Sequence, residues 1–233
     1  MTIPQLFVRT FGVALFSLGL ALPAQALSLA DITSKEASSG VRAALERGAG
    51  SAVAKLGVDN GFLGNPQVRI PLPPELAKVE SRMRLFGLGP QADSLVAAMN
   101  HAAEQAVPQA KDVLLGAVKS MSVTDAKNIL SGGDQSVTNF FRAKTSQTLN
   151  ERLLPIVRQS TDKVGVTKKY NQVAGIGAQF GLLPANSASI EQYVTAKTLD
   201  GLYLMIGQEE KAIRADPVGT GSALLSKVFG AAR

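Results

Sequence analysis

His101 and Glu104 stand three residues apart in the run AAMNHAAEQAV, and on a helix they share a face. An imidazole beside a carboxylate is a starting point for acid–base chemistry or for metal binding. A general base also needs a matched acid or nucleophile within reach. A metal site needs further ligands, and His101 is the only histidine in the chain. The pair therefore reads as a surface or partly buried imidazole next to a carboxylate. Asp200 is the second carboxylate of interest. It lies in LDGLYLMI, which is apolar nearly all round and so expected to be buried. An ionised group there needs a partner, and Lys197 is the nearest cation along the helix. Asp200 reads as a satisfied structural pair or as a polar handle in a ligand pocket. Glu209, Glu210, Lys211 and Arg214 read as an exposed charged helix end, with Glu210 and Arg214 an i, i+4 pair.

Other candidates fall short of a site. Gly219-Thr220-Gly221-Ser222 precedes a helical stretch, but no strand leads into it and no Lys-Ser/Thr pair completes a phosphate loop. Asp59-Asn60-Gly61-Phe62-Leu63-Gly64-Asn65 is rich in oxygen ligands without the spacing or terminal Glu of a calcium loop; it reads as a long turn pinned by Phe62 and Leu63. The chain has no Cys, which removes thiol nucleophiles, thiolate metal sites and disulfides. No G-x-S-x-G elbow and no H-E-x-x-H pair is present. The sequence assigns no catalytic residue, no metal and no cofactor.

Charge carries more information. The formal net charge is +6. Acids and bases balance from Leu27 to Asn139 and after Tyr170. Between them stand Arg142, Lys144, Arg152, Arg158, Lys163, Lys168 and Lys169 against Glu151 and Asp162. Such a segment could meet anionic lipid or cell-wall polymer, or could be a solvated helix surface. Arg152 and Lys163 share a helical face; Arg158 points elsewhere. Aromatic residues make up 5% of the chain and Trp is absent, which gives little for stacking on bases, so no nucleic-acid partner is expected.

The elements that must position these residues are helical nearly throughout. Val41, Ala44, Leu45, Ala49, Ala52, Val53 and Leu56 keep an i, i+3, i+4 rhythm that predicts a helix over 36–56. Asp59-Asn60-Gly61 marks a turn. Pro66, Pro71, Pro73 and Pro74 then bracket an extended segment, Val68 to Leu72, with no obvious strand partner. Helices are expected over 75–86, 90–106, 109–121 and 123–130, with Pro108 breaking the second from the third. Ser122 to Asp125 has the look of a cap, and Asp134 of a new N-cap. Further helices are expected over 135–144, 148–164, 168–180, 190–214 and 221–229. Pro155 should bend the second of these. Gly177 and Gly181 are spaced for close helix approach, and Ser189 to Gln192 is a capping-box pattern. The reading is all-α: an irregular bundle of about ten helices with one extended proline-rich loop.

Residues 1–26 read as a secretory signal peptide. Arg9 precedes the apolar run FGVALFSLGLAL, and Pro23 and Ala24-Gln25-Ala26 follow it. That run is short of the roughly 18 apolar residues that span a bilayer. Cleavage near Ala26 would leave 27–233 as a single helical domain in the periplasm or outside the cell, with no transmembrane segment.

Six stretches together resemble one bacterial exported family, catalogued as domain of unknown function 4197. They are LADITSKEASSGVRAALERG from Leu29, DNGFLGNPQVRIPLP from Asp59, AAMNHAAEQAVPQAK from Ala97, SVTDAKNILSGGDQSVTNFFRAKT from Ser122, LPIVRQSTDKVGVTKKYN from Leu154 and LDGLYLMIGQEEKAIRADPVGTGSALLSKVFG from Leu199. The resemblance implies an exported helical protein, mostly of Gram-negative bacteria, and brings no activity or catalytic residue. The family usually reads M-N-R-A-A-E where this chain has His101, which counts against a catalytic histidine. The functional expectation is a non-enzymatic helical protein that binds a protein partner or apolar ligand in the cell envelope. Attachment to an anionic envelope surface through residues 140–170, and an enzyme with an unfamiliar carboxylate site at Asp200 or Glu104, are the alternatives.

Overall fold

A computed structural model describes residues 33–133, 135–163, 165–179 and 189–216. These residues are all-helical, with no strand among them. The leader, the Gly219 to Ser222 turn, the helix expected over 221–229, Asp134 and Gly181 lie outside the described residues.

Eight α-helices follow in order: α1 Ser34–Leu56, α2 Pro74–Leu85, α3 Gly89–Ala106, α4 Lys111–Lys119, α5 Val123–Ser131, α6 Ser136–Lys163, α7 Val166–Gln179 and α8 Ile190–Ala215. Pro108 ends α3 as expected, and a 3-10 turn, Val107–Ala110, joins it to α4. Capping boxes open α1 (Thr33 with Glu36) and α5 (Ser122 with Asp125). The box expected at Ser189 does not form. Its hydroxyl bonds the Glu191 carboxylate instead of capping a backbone amide.

The count of about ten helices needs correction in one place. The two helices expected over 135–144 and 148–164 are one continuous rod, α6, with Pro155 inside it. Thr145 marks where a break was expected. Its hydroxyl instead donates to the Phe141 carbonyl one turn back (2.6 Å) and meets the Tyr203 hydroxyl at 2.9 Å, so a polar side chain is satisfied inside an unbroken helix. Phe141, Thr145, Leu149, Leu153, Val157 and Thr161 are all buried at a strict spacing of four. On a helix of 3.6 residues per turn that stripe winds around the rod, so α6 meets different neighbours along its length. It packs on α8 most extensively, and also on α3, α4, α5 and α7. On its other side α8 packs against α1, closing the bundle between its first and last described helices.

Residues 57–73 leave the helical pattern. Asn60 takes φ 64, the left-handed conformation that Asn tolerates in a tight turn. The segment then runs inward: Phe62 and Ile70 are fully buried, and Val68 and Leu72 nearly so.

Candidate functional site

The extended segment does have a partner, and the partner is a side chain. Asn100 on α3 is fully buried. Its Oδ1 accepts from the Ile70 amide (2.8 Å), and its Nδ2 donates to the Ile70 carbonyl (2.9 Å) and the Val96 carbonyl (2.8 Å). The carboxamide thus stands in for a neighbouring strand. One turn further on, Glu104 Oε1 accepts from the Phe62 and Leu63 amides, both at 3.0 Å. From the other side, the Tyr193 hydroxyl is 3.1 Å from the Pro71 carbonyl. At Gly201 of α8, a Cβ would lie 2.7 Å from Phe62 Cε1, so only a hydrogen there lets the ring seat.

This geometry settles where the chemical candidates lie. Glu104 is buried, and its Oε2 is 2.8 Å from His101 Nδ1. The imidazole is half-exposed, as expected, and borders an open depression of about 560 Å³ with Val58, Asp59, Asn60, Gln105 and Pro108. The carboxylate is chiefly an anchor for the 57–73 segment: one oxygen serves two backbone amides and the other fixes the histidine. The Asp59 to Asn65 stretch is a turn sealed by buried Phe62. No group of three or more His, Asp or Glu among the described residues could hold a metal ion.

Asp200 is not buried. Its side chain is 54% exposed, 3.6 Å from both Arg142 and Lys197. The apolar run around it misled because Asp200 and Leu204 share the outward face of α8, while Leu199, Leu202, Tyr203 and Ile206 turn inward. Asp200 sits on the rim of an open groove between α6 and α8, of about 610 Å³, with Asn139, Arg142, Tyr203, Gln208 and Lys211. The Arg142 guanidinium lies 4.8 Å from the centre of the Tyr203 ring.

Glu210 corrects the expectation of an exposed charged end. It is 5% exposed and points back at the first turn of α6. It accepts from the Val137 amide (3.2 Å), lies 3.0 Å from Ser136 Oγ, and pairs with Arg214 at 3.0 Å. Arg214 also donates to the Ile129 carbonyl at 2.6 Å. A carboxylate on α8 thereby complements the positive end of α6. Burial pushes the Glu210 carboxyl up from its ordinary value, against the opposite pull of Arg214, Ser136 and Val137. The i, i+4 pairing with Arg214 is as the spacing indicated.

The basic segment divides. Arg142 is engaged with Asp200 and Tyr203, and Lys144 lies 4.0 Å from Asp125. The charge of Arg158 reaches Glu191. Arg152, Lys163, Lys168 and Lys169 form no ion pair among the described residues; all but Lys169 are fully on the surface. No helix among the described residues is long and apolar enough to cross a membrane.

The fold and its sites define an all-α protein in which, among the described residues, two buried carboxylates are bonded to backbone amides and an open groove lies between the two longest helices. The chain belongs to the family described as protein of unknown function (DUF4197), which it matches over residues 31–230. No curated protein and no solved structure matches it.

Proposed function

We propose that this is an exported protein of the cell envelope that works by binding rather than by catalysis, and that it holds a segment of a protein partner in the α6–α8 groove. The observation that carries this reading is the groove's lining. Arg142, Asp200 and Lys211 offer charges of both signs, Asn139 and Gln208 offer amides, and exposed Leu204 offers apolar surface. That mixture suits a peptide, whose backbone needs donors and acceptors and whose side chains need apolar contact. The apolar-ligand version has less support. The apolar pocket between Val41, Leu45, Val137, Ile206 and Ile213 has room for about 10 Å³, on the scale of a single water molecule.

A photo-crosslinking residue in place of Gln208 should trap one partner in intact cells. The same residue in place of Lys119, exposed at the end of α4, should not. Equal trapping at both positions refutes the groove. The intact mass of the protein from the periplasmic fraction tests export separately, and a chain that still begins at Met1 counts against it.

A second reading, attachment to an anionic envelope surface, is favoured by Arg152, Lys163, Lys168 and Lys169, which form no ion pair among the described residues. Retention on purified cell wall should fall steeply with salt. Binding that ignores salt would sink this reading.

A further inference from the structure

The charges of the α6–α8 groove stand in an order that bears on what fills it. The two helices run antiparallel: Thr145 meets Tyr203, and Val137 meets Glu210. Arg142 and Asp200 therefore stand at one end of the groove and Lys211 at the other, with Asn139, Leu204 and Gln208 between them. Leu204 is 44% exposed, an apolar step on the wall. At the floor the helices come close, since a Cβ at Gly207 would lie 2.7 Å from Thr138 Oγ1. At about 1.5 Å of rise per residue along α8, the two cationic ends are about 12–16 Å apart. An extended chain covers about 3.3 Å per residue, so about four or five residues reach from one end to the other.

The acid in the groove is loosely held. Asp200 is shared by Arg142 and Lys197, each at 3.6 Å, beyond hydrogen-bonding distance. The Arg142 side chain is half-exposed and lies over the Tyr203 ring, which holds the guanidinium in place while its donors stay open. A carboxylate arriving from solvent can meet that guanidinium side-on with two hydrogen bonds, which Asp200 does not make. Asp200 then still keeps Lys197. At the other end Lys211 is exposed and forms no ion pair among the described residues. The neighbouring acids of α8 are taken, Glu209 by Lys55 and Glu210 by Arg214 and the Val137 amide. Two cations thus face one displaceable carboxylate.

Resting on the reading of this groove as a peptide site, we propose that its occupant is an acidic segment in extended conformation. One carboxylate sits on Arg142, a second, four or five residues along, on Lys211, and an apolar side chain between them packs on Leu204. Asp200 is a placeholder, which occupies Arg142 until a ligand carboxylate replaces it.

A capped peptide, Gly-Glu-Ser-Leu-Ser-Glu-Gly, is a suitable probe, because in an extended chain both glutamates and the leucine lie on one face. Titrated into the isotope-labelled protein purified from its host, it should move the amide signals of Asn139, Leu204 and Gln208 and leave that of Lys119 in place. Arg142→Gln and Lys211→Gln should each weaken binding about threefold, and Asp200→Asn should tighten it by about the same factor, with circular dichroism unchanged in all three. No movement of the groove signals overturns the proposal, as does an Asp200→Asn protein that binds no tighter. Equal binding of the peptide with glutamine in place of both glutamates overturns the acidic assignment. Inorganic tripolyphosphate that moves the same signals as far marks a general anion site and overturns it too. Crosslinking from position 208 in cells, with and without Lys211→Gln, keeps the two failures apart. A partner captured equally well by both chains leaves the peptide reading standing and ends the acidic one, whereas no captured partner ends both.

Discussion

Replacing Asn100 by alanine tests whether a side chain can take the place of a strand. Ile70 and Asn100 are both fully buried, so water does not reach the groups the substitution abandons. Two backbone groups, the Ile70 amide and carbonyl, lose bonds of 2.8 and 2.9 Å. A buried polar group left unsatisfied costs about 1–3 kcal/mol, so the pair costs about 2–6 kcal/mol. The Val96 carbonyl adds little, because the helix supplies its ordinary partner. For a domain of this size, each kcal/mol lowers the melting temperature by roughly 2–4 °C, which gives a fall of about 4–24 °C. Asn100→Asp should do no better. It keeps the acceptor for the Ile70 amide but loses the donor and buries a charge. Thermal denaturation measures the size of the effect, and amide hydrogen exchange at Ile70 measures its place. Exchange there should quicken while that of Leu149, in the middle of α6, follows only the global loss. A fall of less than about 2 °C with Ile70 still protected would refute the argument, since the extended segment would then be held by something else.

Gly201→Ala should destabilise by about 1–3 kcal/mol, because its Cβ would press on Phe62 and Val68; Phe62→Leu in the same chain should recover part of that, and strict additivity in urea titrations would show that the two positions do not touch. Glu210 predicts a pH signature. Its folded-state carboxyl is raised, so the folded protein holds a proton that the unfolded chain has already released, and stability from this group is lost as pH rises through the folded value. The stability of the wild type minus that of Glu210→Gln should therefore decline from acid towards neutral pH. A difference that stays flat, or rises, contradicts it. Ser122→Ala removes the hydroxyl that receives the Asp125 amide at 3.0 Å and should cost about 1 kcal/mol in chemical denaturation, with no measurable loss arguing that the α5 box is ornamental.

The helices were legible because their apolar residues recur at the helical period and their ends carry Pro, Gly and capping side chains. The α1 rhythm from Val41 to Leu56 and the Pro108 break illustrate this. What the period could not supply was partnership across long separations. Asn100 and Glu104 lie one turn apart among Leu95, Val96, Met99, Ala102, Ala103 and Ala106, all buried. Two polar residues on the apolar face of a helix must have fixed partners, and an extended segment without a strand has backbone groups to offer. Placed side by side, those signals point to each other, although neither gives the register. Asp200 failed for a different reason. A run that is apolar nearly all round hides the one outward stripe, here Asp200 and Leu204, until the neighbours of α8 are known. Glu210 failed conversely: a cluster of charges at a helix end looks solvated, and only the arrival of the α6 N-terminus makes it interior. The gap expected between 144 and 148 does not exist, because the Thr145 hydroxyl is satisfied by the Phe141 carbonyl and by Tyr203 inside an unbroken α6.

The packing of α1 against α8 has a consequence in time. The first described helix is covered by the last, and Lys55 of α1 meets Glu209 near the end of α8. A ribosome adding about 5–20 residues per second needs roughly 7–27 s to pass from the end of α1 to the start of α8. Throughout that interval Val41, Ala44 and Leu45 lack the wall of Ile206 and Ile213 that later covers them. The nascent chain is thus kept from closing early by the order in which its own parts are made.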